Sequence, residues 1–158
     1  MRSAISRSTG KPRDVLRVFR VATVVWALAI LTATSLPVPD VPTALPTWAD
    51  KAVHFTLYCI LGILAALAFM SLPAGRQGQA PNDARSGIRR YAGWLVLALL
   101  AIFAGADELH QHWIRGRMPS PADWVADVAG AWVGIAIGSY ICKSNRRPGS
   151  GIDRETDC

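Results

Sequence analysis

The residues best suited to chemistry lie in one stretch, residues 106–130, between two apolar segments. A membrane hairpin with no role beyond crossing the bilayer would keep few charged groups there. A second, smaller polar group, Asp50, Lys51 and His54, opens an earlier apolar segment. The polar side chains of the main stretch are Asp107, Glu108, His110, Gln111, His112, Arg115, Arg117, Asp123 and Asp127. Any reaction or binding by this chain would therefore draw on these two groups.

These residue types can support proton transfer, anion binding or metal coordination. A histidine beside a carboxylate can act as a general acid and base, and Arg or Lys can bind an anionic headgroup. Helical His/carboxylate pairs can bind metals, but the chain has no H-E-x-x-H motif and no C-x-x-C pair. We therefore expect no metal and no cofactor. The candidates for proton transfer are His54, Asp107, Glu108 and Asp123, and those for ligand binding are Lys51, Gln111 and Arg117.

The same charges also have a purely structural interpretation. An ionisable side chain in the membrane core costs on the order of 3 kcal/mol, so acids and bases at one level are expected to pair. Such a network can fix helix packing without any chemistry. Structural roles are expected for Asp50, Tyr58 and Asp127, and for Gly130 and Gly134, whose spacing allows close helix approach in lipid.

Four apolar segments must position these groups. Hydrophobic residues make up 51% of the chain, and they are concentrated in blocks that can span a ~30 Å membrane core at ~1.5 Å per residue. Prolines, glycines and polar residues separate the blocks. We predict an all-α, four-helix transmembrane bundle with helices at about 18–36, 50–72, 91–113 and 122–142.

The segments outside these helices are predicted to be polar. Residues 1–17 form a disordered basic arm, residues 73–90 a flexible loop and residues 143–158 a polar tail. The first apolar segment has an alternative interpretation as a cleaved signal peptide. It is longer than the ~7–15 residues usual for the apolar core of such a signal, so a retained helix is favoured.

The distribution of Lys and Arg predicts the orientation. Segments 1–20, 73–90 and 143–158 carry 6, 4 and 4 of these residues, whereas the opposite side carries 3. The positive-inside rule then places both termini in the cytoplasm and two short hairpin loops outside. The net charge of +6 follows from this membrane pattern, so we expect no nucleic-acid partner.

The polar groups are expected to meet in one layer near the outer surface. Asp107 lies 16 residues after Tyr91, about 24 Å along a helix at ~1.5 Å per residue. The polar residues of the second and fourth helices lie in their first turns. On the second helix, Asp50, His54 and Tyr58 share one face at i, i+4 and i+8. Separate segments therefore deliver their polar side chains to the same depth.

Two motifs lie in this layer: Asp-Lys-x-x-His at 50–54 with Tyr58 and Leu-Gly at 61–62, then Asp-Glu-x-x-Gln at 107–111 with Gly-Arg at 116–117, Ser120, Asp123 and Gly130. In this order and spacing they resemble the VanZ-like family of small bacterial integral membrane proteins. The resemblance spans roughly residues 20–142. It departs from the family pattern at Asp127, where the family usually has Asn.

The resemblance implies a multi-pass protein of the bacterial inner (plasma) membrane, in a family whose archetype is associated with teicoplanin-type glycopeptide resistance. With the residues above, it favours a protein that binds or modifies an amphiphilic or lipid-linked envelope molecule at an outer-face polar site. The alternative is a non-catalytic structural or assembly protein whose charged network fixes helix packing. The sequence leaves the ligand, any reaction and the oligomeric state open.

Overall fold

The computed structural model describes residues 12–37, 47–69, 82–118 and 120–144, and this part of the chain forms four α-helices. The helices are α1 (Pro12–Thr34), α2 (Thr47–Phe69), α3 (Asn82–Gln111) and α4 (Pro121–Ser144). Each contains a segment of 21 to 24 residues that is long and apolar enough to cross a membrane. The prediction of an all-α bundle with four spanning helices is confirmed.

All four helices begin earlier than predicted, and two of them begin six or more residues earlier. Helix α1 begins at Pro12 instead of residue 18, so part of the predicted basic arm is helical. Proline suits the first turn of a helix, and Arg is a good helix former. Helix α3 begins at Asn82 instead of residue 91, within the predicted loop. No proline follows Pro81 before the apolar segment, so nothing in the polar sequence stops the helix there.

The ends of the helices facing the main polar stretch are set by local capping. Helix α3 ends at Gln111, two residues before the predicted end. The loop then turns at Gly116, whose φ of 80° favours glycine. Helix α4 begins at Pro121, and the Ser120 hydroxyl accepts a 3.2 Å hydrogen bond from the Ala122 backbone N–H. Ser120 is therefore the N-cap of α4, with proline in the first helical position.

Helices α2 and α4 form the centre of the bundle, with α1 mainly on α2 and α3 mainly on α4. Gly130 of α4 lies against the backbone carbonyl oxygen of Phe55, and Gly134 lies against that of Cys59. A Cβ atom at either glycine would overlap this oxygen, so only glycine allows the two backbones to come so close. The glycine stripe of α4 therefore packs within the chain, against α2.

The apolar side chains have two different surroundings. One buried cluster draws from all four helices, and the Trp26 indole donates a 3.0 Å hydrogen bond from α1 to the Leu57 carbonyl of α2. Other large apolar side chains of α1 and α3 face outward, a pattern suited to lipid contact. The buried cluster is Ile30, Tyr58, Leu61, Ala104 and Ala131, and outward examples are Val24, Leu28, Leu95, Leu99 and Ile102.

Gly134→Ala is expected to destabilise the bundle by about 1–3 kcal/mol, because the new Cβ would force α2 and α4 apart. The matched control is Gly105→Ala in α3, where a Cβ would lie 3.5 Å from Trp124 Nε1, an ordinary contact. That change should be neutral or stabilising by up to ~1 kcal/mol, since alanine favours helix. Thermal unfolding in detergent, followed by circular dichroism, measures both. Equal losses in the two variants would contradict the close backbone contact.

Candidate functional site

Polar side chains from all four helices lie at one end of the bundle. Successive helices run in opposite directions, so the C-terminal ends of α1 and α3 lie beside the N-terminal ends of α2 and α4. Hydrogen bonds and ion pairs then connect residues that are more than 70 positions apart in the chain. The two polar groups of the sequence thus belong to one layer.

At the centre of this layer, His54 of α2 lies beside two carboxylates. Its Nδ1 atom is 3.1 Å from Oδ1 of Asp127 on α4 and 4.0 Å from Oε1 of Glu108 on α3. The exposed fractions of His54, Asp127 and Glu108 are 6%, 0% and 8%. We call these three residues the His54 cluster. One nitrogen or oxygen of each lies within 4.8 Å of the others, so the cluster could exchange a proton or share a cation.

Lys51 and Asp123 form an ion pair next to the His54 cluster. The Lys51 ammonium is 2.6 Å from Oδ1 of Asp123, and the two side chains are 41% and 9% exposed. This pair joins α2 to α4 and gives the nearly buried Asp123 a counter-charge. Asp50, one residue earlier, is exposed. The predicted ligand-binding residue Lys51 is thus engaged with a predicted proton-transfer residue.

Asp107 connects α3 to two other helices. It is 1% exposed, and the Thr34 hydroxyl of α1 lies 2.7 Å from its Oδ1 atom. The Tyr58 hydroxyl of α2 lies 3.5 Å from Oδ2, which is long for a hydrogen bond between oxygens. The short contact with Thr34 is therefore the stronger of the two. Both carboxylate oxygens of Asp107 face protein hydroxyls, so its surroundings resemble those of a structural residue.

Gln111 and Arg117 present donor atoms that are not used by the described residues. Arg117 Nη2 donates a 3.1 Å hydrogen bond to the backbone carbonyl of Ala33 at the end of α1. Its Nε atom and Nε2 of Gln111 are buried and have no hydrogen-bond partner among the described residues. His110 lies 3.1 Å from the hydroxyl of Ser35 through Nε2. Gln111 and Arg117 therefore keep capacity for a hydrogen-bond acceptor.

A cleft of about 560 Å³ lies between the end of α3 and the start of α4. Leu109, Pro121 and Trp124 supply much of its apolar wall, and all three are exposed at the outside of the bundle. Glu108 also lines the cleft, and its Oε2 atom accepts a 3.1 Å hydrogen bond from the Ser120 N–H. The cleft thus leads from an apolar outer surface to one carboxylate of the His54 cluster.

Sequence reasoning did not assign Thr34, Ser120 or Trp124 to the site. Thr34 sits within an apolar segment and has no motif around it. Ser120 is predicted only as part of the motif that resembles the VanZ-like family. The Trp124 indole donates a 3.1 Å hydrogen bond to the Ala101 carbonyl, which holds its ring beside the cleft. A hydroxyl in the last turn of an apolar helix was the one available signal for Thr34.

Four helices of membrane-spanning length, with a polar layer at one end, define a small multi-pass membrane protein. The model of the VanZ/LLP1 family matches residues 5–142, which is most of the chain, so the protein belongs to the VanZ/LLP1 family. This confirms the resemblance found in its motifs. No curated protein and no solved structure matches the chain.

Thr34→Val is expected to lower the free energy of unfolding by about 1–3 kcal/mol. The substitution keeps the shape of the side chain but leaves the buried Asp107 carboxylate without its short hydrogen bond. Tyr58→Phe removes only the 3.5 Å contact to the same carboxylate and should cost less than about 1 kcal/mol. Detergent unfolding curves of the two variants provide the comparison. A larger loss for Tyr58→Phe would show that the tyrosine is the main partner.

Proposed function

We propose that this protein binds an amphiphilic molecule of the cell envelope in the cleft between α3 and α4. The observation that carries the proposal is the composition of the cleft: an apolar wall open to the outside of the bundle, ending at the buried carboxylate of Glu108. Ligand sites are typically apolar concavities with a few polar groups that fix orientation. An acyl or isoprenoid chain suits the wall, and a polar headgroup suits the inner end.

The polar layer also holds hydrogen-bond donors, which lie outside the lining of the cleft itself. Gln111 and Arg117 offer buried donor nitrogens with no partner in the described part of the chain, and Arg can hold phosphate or carboxylate groups through its planar guanidinium. The partly exposed Lys51 adds a second positive charge at this level. These donors support an anionic headgroup, such as that of a phospholipid or a lipid-linked envelope precursor.

Resistance to teicoplanin-type glycopeptides fits this proposal as one specific case. Teicoplanin carries a lipid tail, so the whole antibiotic is an amphiphile of the class that the cleft is proposed to accept. Binding at the outer face of the plasma membrane would hold the antibiotic or its lipid-linked target near the bilayer. The same site would then serve an envelope lipid in the absence of antibiotic.

A structural or assembly role is the second candidate, and the cross-helix pairs favour it. The Lys51–Asp123 ion pair joins α2 to α4, and the Thr34–Asp107 hydrogen bond joins α1 to α3. A network of this kind can fix helix register without any ligand. The candidates differ in what they require of the cleft, because a structural network has no use for its apolar wall.

Leu109→Trp is expected to reduce ligand binding at least about tenfold, because the indole would fill the apolar mouth of the cleft; a tenfold loss corresponds to about 1.4 kcal/mol. The matched control is Leu99→Trp, the same change at an outward-facing position of α3 that does not line the cleft. Binding is measured by native mass spectrometry of the detergent-purified protein with added phosphatidylglycerol or teicoplanin.

Glu108→Gln completes this experiment at the polar end of the cleft. It should change which headgroups are retained while thermal stability stays close to that of the unchanged protein, since glutamine keeps the size of the side chain. Equal binding by Leu109→Trp and Leu99→Trp would overturn the cleft as the ligand site. Loss of folding in Glu108→Gln, with no bound lipid in any variant, would favour the structural candidate.

We further propose that the polar layer faces the outside of the plasma membrane, with both termini in the cytoplasm. The Lys and Arg distribution supports this orientation, because 14 of 17 such residues fall in segments 1–20, 73–90 and 143–158. A green fluorescent protein fused to the C-terminus should then fluoresce, whereas alkaline phosphatase fused at the same position should be inactive. The reverse pattern would place the cleft on the cytoplasmic side.

A further inference from the structure

We propose that the His54 cluster is a binding site for a divalent metal ion, held by His54 Nδ1, Glu108 Oε1 and a carboxylate oxygen of Asp127. The three ligands come from three helices, α2, α3 and α4, so no local sequence motif predicts them. This site does not depend on the binding of an amphiphile. The cation could serve a structural or a chemical role without any lipid in the cleft.

The distances in the cluster suit a shared cation. Nδ1 of His54 is 3.1 Å from Asp127 Oδ1 and 4.0 Å from Glu108 Oε1. Metal–ligand bonds of ~2.0–2.2 Å place neighbouring ligand atoms about 2.8–3.6 Å apart in octahedral or tetrahedral geometry. One contact already has this length, and small side-chain rotations would bring the other ligand atoms into range. All three side chains project from helices, which fix their origins.

Two carboxylate oxygens without hydrogen-bond partners among the described residues indicate that the His54 cluster binds a further group. Glu108 Oε1, the atom that faces His54, is buried and has no hydrogen-bond partner among the described residues. The same is true of Oδ2 of the fully buried Asp127. A buried carboxylate oxygen without a partner is rare, and each costs free energy unless a donor or cation satisfies it. Two such oxygens in one cluster therefore require an explanation.

Charge balance favours a divalent cation at this point. With a neutral imidazole and both carboxylates ionised, the cluster would carry two negative charges in a buried layer, where like charges repel strongly. Lys51 is paired with Asp123 and does not neutralise them. A protonated His54 would balance one carboxylate and leave the other, whereas a divalent cation balances both and satisfies the open oxygens.

The surroundings supply the remaining requirements of a metal site. Glu108 Oε2 accepts a 3.1 Å hydrogen bond from the Ser120 N–H, which orients the carboxylate so that Oε1 faces His54. Glu108 also lines the cleft between α3 and α4, which gives a cation a path and leaves room for water or a ligand oxygen as further ligands.

The donor set indicates the class of metal. One imidazole with two carboxylates suits borderline and moderately hard divalent ions such as Zn²⁺ or Mn²⁺. A neighbouring group of Asp50, His54 and Asp123 also has suitable spacing. It is the weaker candidate, because Asp123 already holds Lys51 at 2.6 Å and Asp50 is exposed.

The test is a Zn²⁺ titration of the detergent-purified full chain by isothermal calorimetry, after chelation and removal of any histidine tag. The unchanged protein should bind one Zn²⁺ with a Kd below about 10 µM, and its melting temperature should rise with Zn²⁺ by mass action. Asp127→Asn and Glu108→Gln should each weaken Zn²⁺ binding more than about 100-fold. Even substitution of residues that only hydrogen-bond to metal ligands lowers metal affinity ~10–100-fold.

Asp107→Asn is the matched control, because Asp107 is equally buried in the same layer but faces Thr34 and Tyr58. It should bind Zn²⁺ like the unchanged protein. The proposal is overturned if the unchanged protein binds no Zn²⁺ at one equivalent, or if Asp127→Asn and Glu108→Gln bind as well as Asp107→Asn. If Asp127→Asn does not fold, Glu108→Gln, which changes a side chain lining the cleft, decides between these outcomes.

Discussion

The contact of the α2 and α4 backbones determines the rest of the polar layer. The carbonyl oxygen of Phe55 in α2 packs against the Cα atom of Gly130 in α4. This contact sets the distance between the two helices and their rotation relative to each other. His54 immediately precedes Phe55, and Asp127 lies three residues before Gly130. The glycine contact therefore brings an imidazole and a carboxylate to 3.1 Å. A larger residue at 130 would separate the helices and the two side chains together.

Among the described buried residues of the layer, acids outnumber bases: Asp107, Glu108, Asp123 and Asp127 are carboxylates, and His54 is the one base. Asp123 is paired with Lys51, and Asp107 is held by Thr34. Glu108 and Asp127 share His54, and each retains a buried oxygen with no partner in the described part of the chain. The other pairs explain how four helices stay in register at a depth where ionisable groups are costly. The carboxylates of the His54 cluster, in contrast, keep oxygens that these cross-helix pairs do not satisfy.

The sequence predicts the four helices because apolar length is a strong signal, and it predicts a common polar layer because alternating helices return to the same side. It fails at Pro12 and Asn82, since polar helical extensions have the composition of linkers. It also fails to pair the site residues. Spacing of i, i+4 relates residues of one helix, whereas the rotation that aims Glu108 at His54 depends on contacts between helices. For Thr34 the sequence offers only a hydroxyl in the last turn of an apolar helix, which does not identify Asp107 as its partner.

Because the cleft opens at the side of the bundle, the affinity for an amphiphile has to be compared with the affinity for the lipids around it. Leu109 and Trp124 border the cleft at the exposed side of the bundle, so an amphiphile of the proposed kind would enter by lateral diffusion within one leaflet. Occupancy would then follow the mole fraction of that molecule among its neighbours, not its concentration in water. Bulk phospholipids and detergents would act as competing solvents. A scarce lipid could occupy the cleft only by exceeding the affinity of the abundant ones, so selectivity matters more than strength.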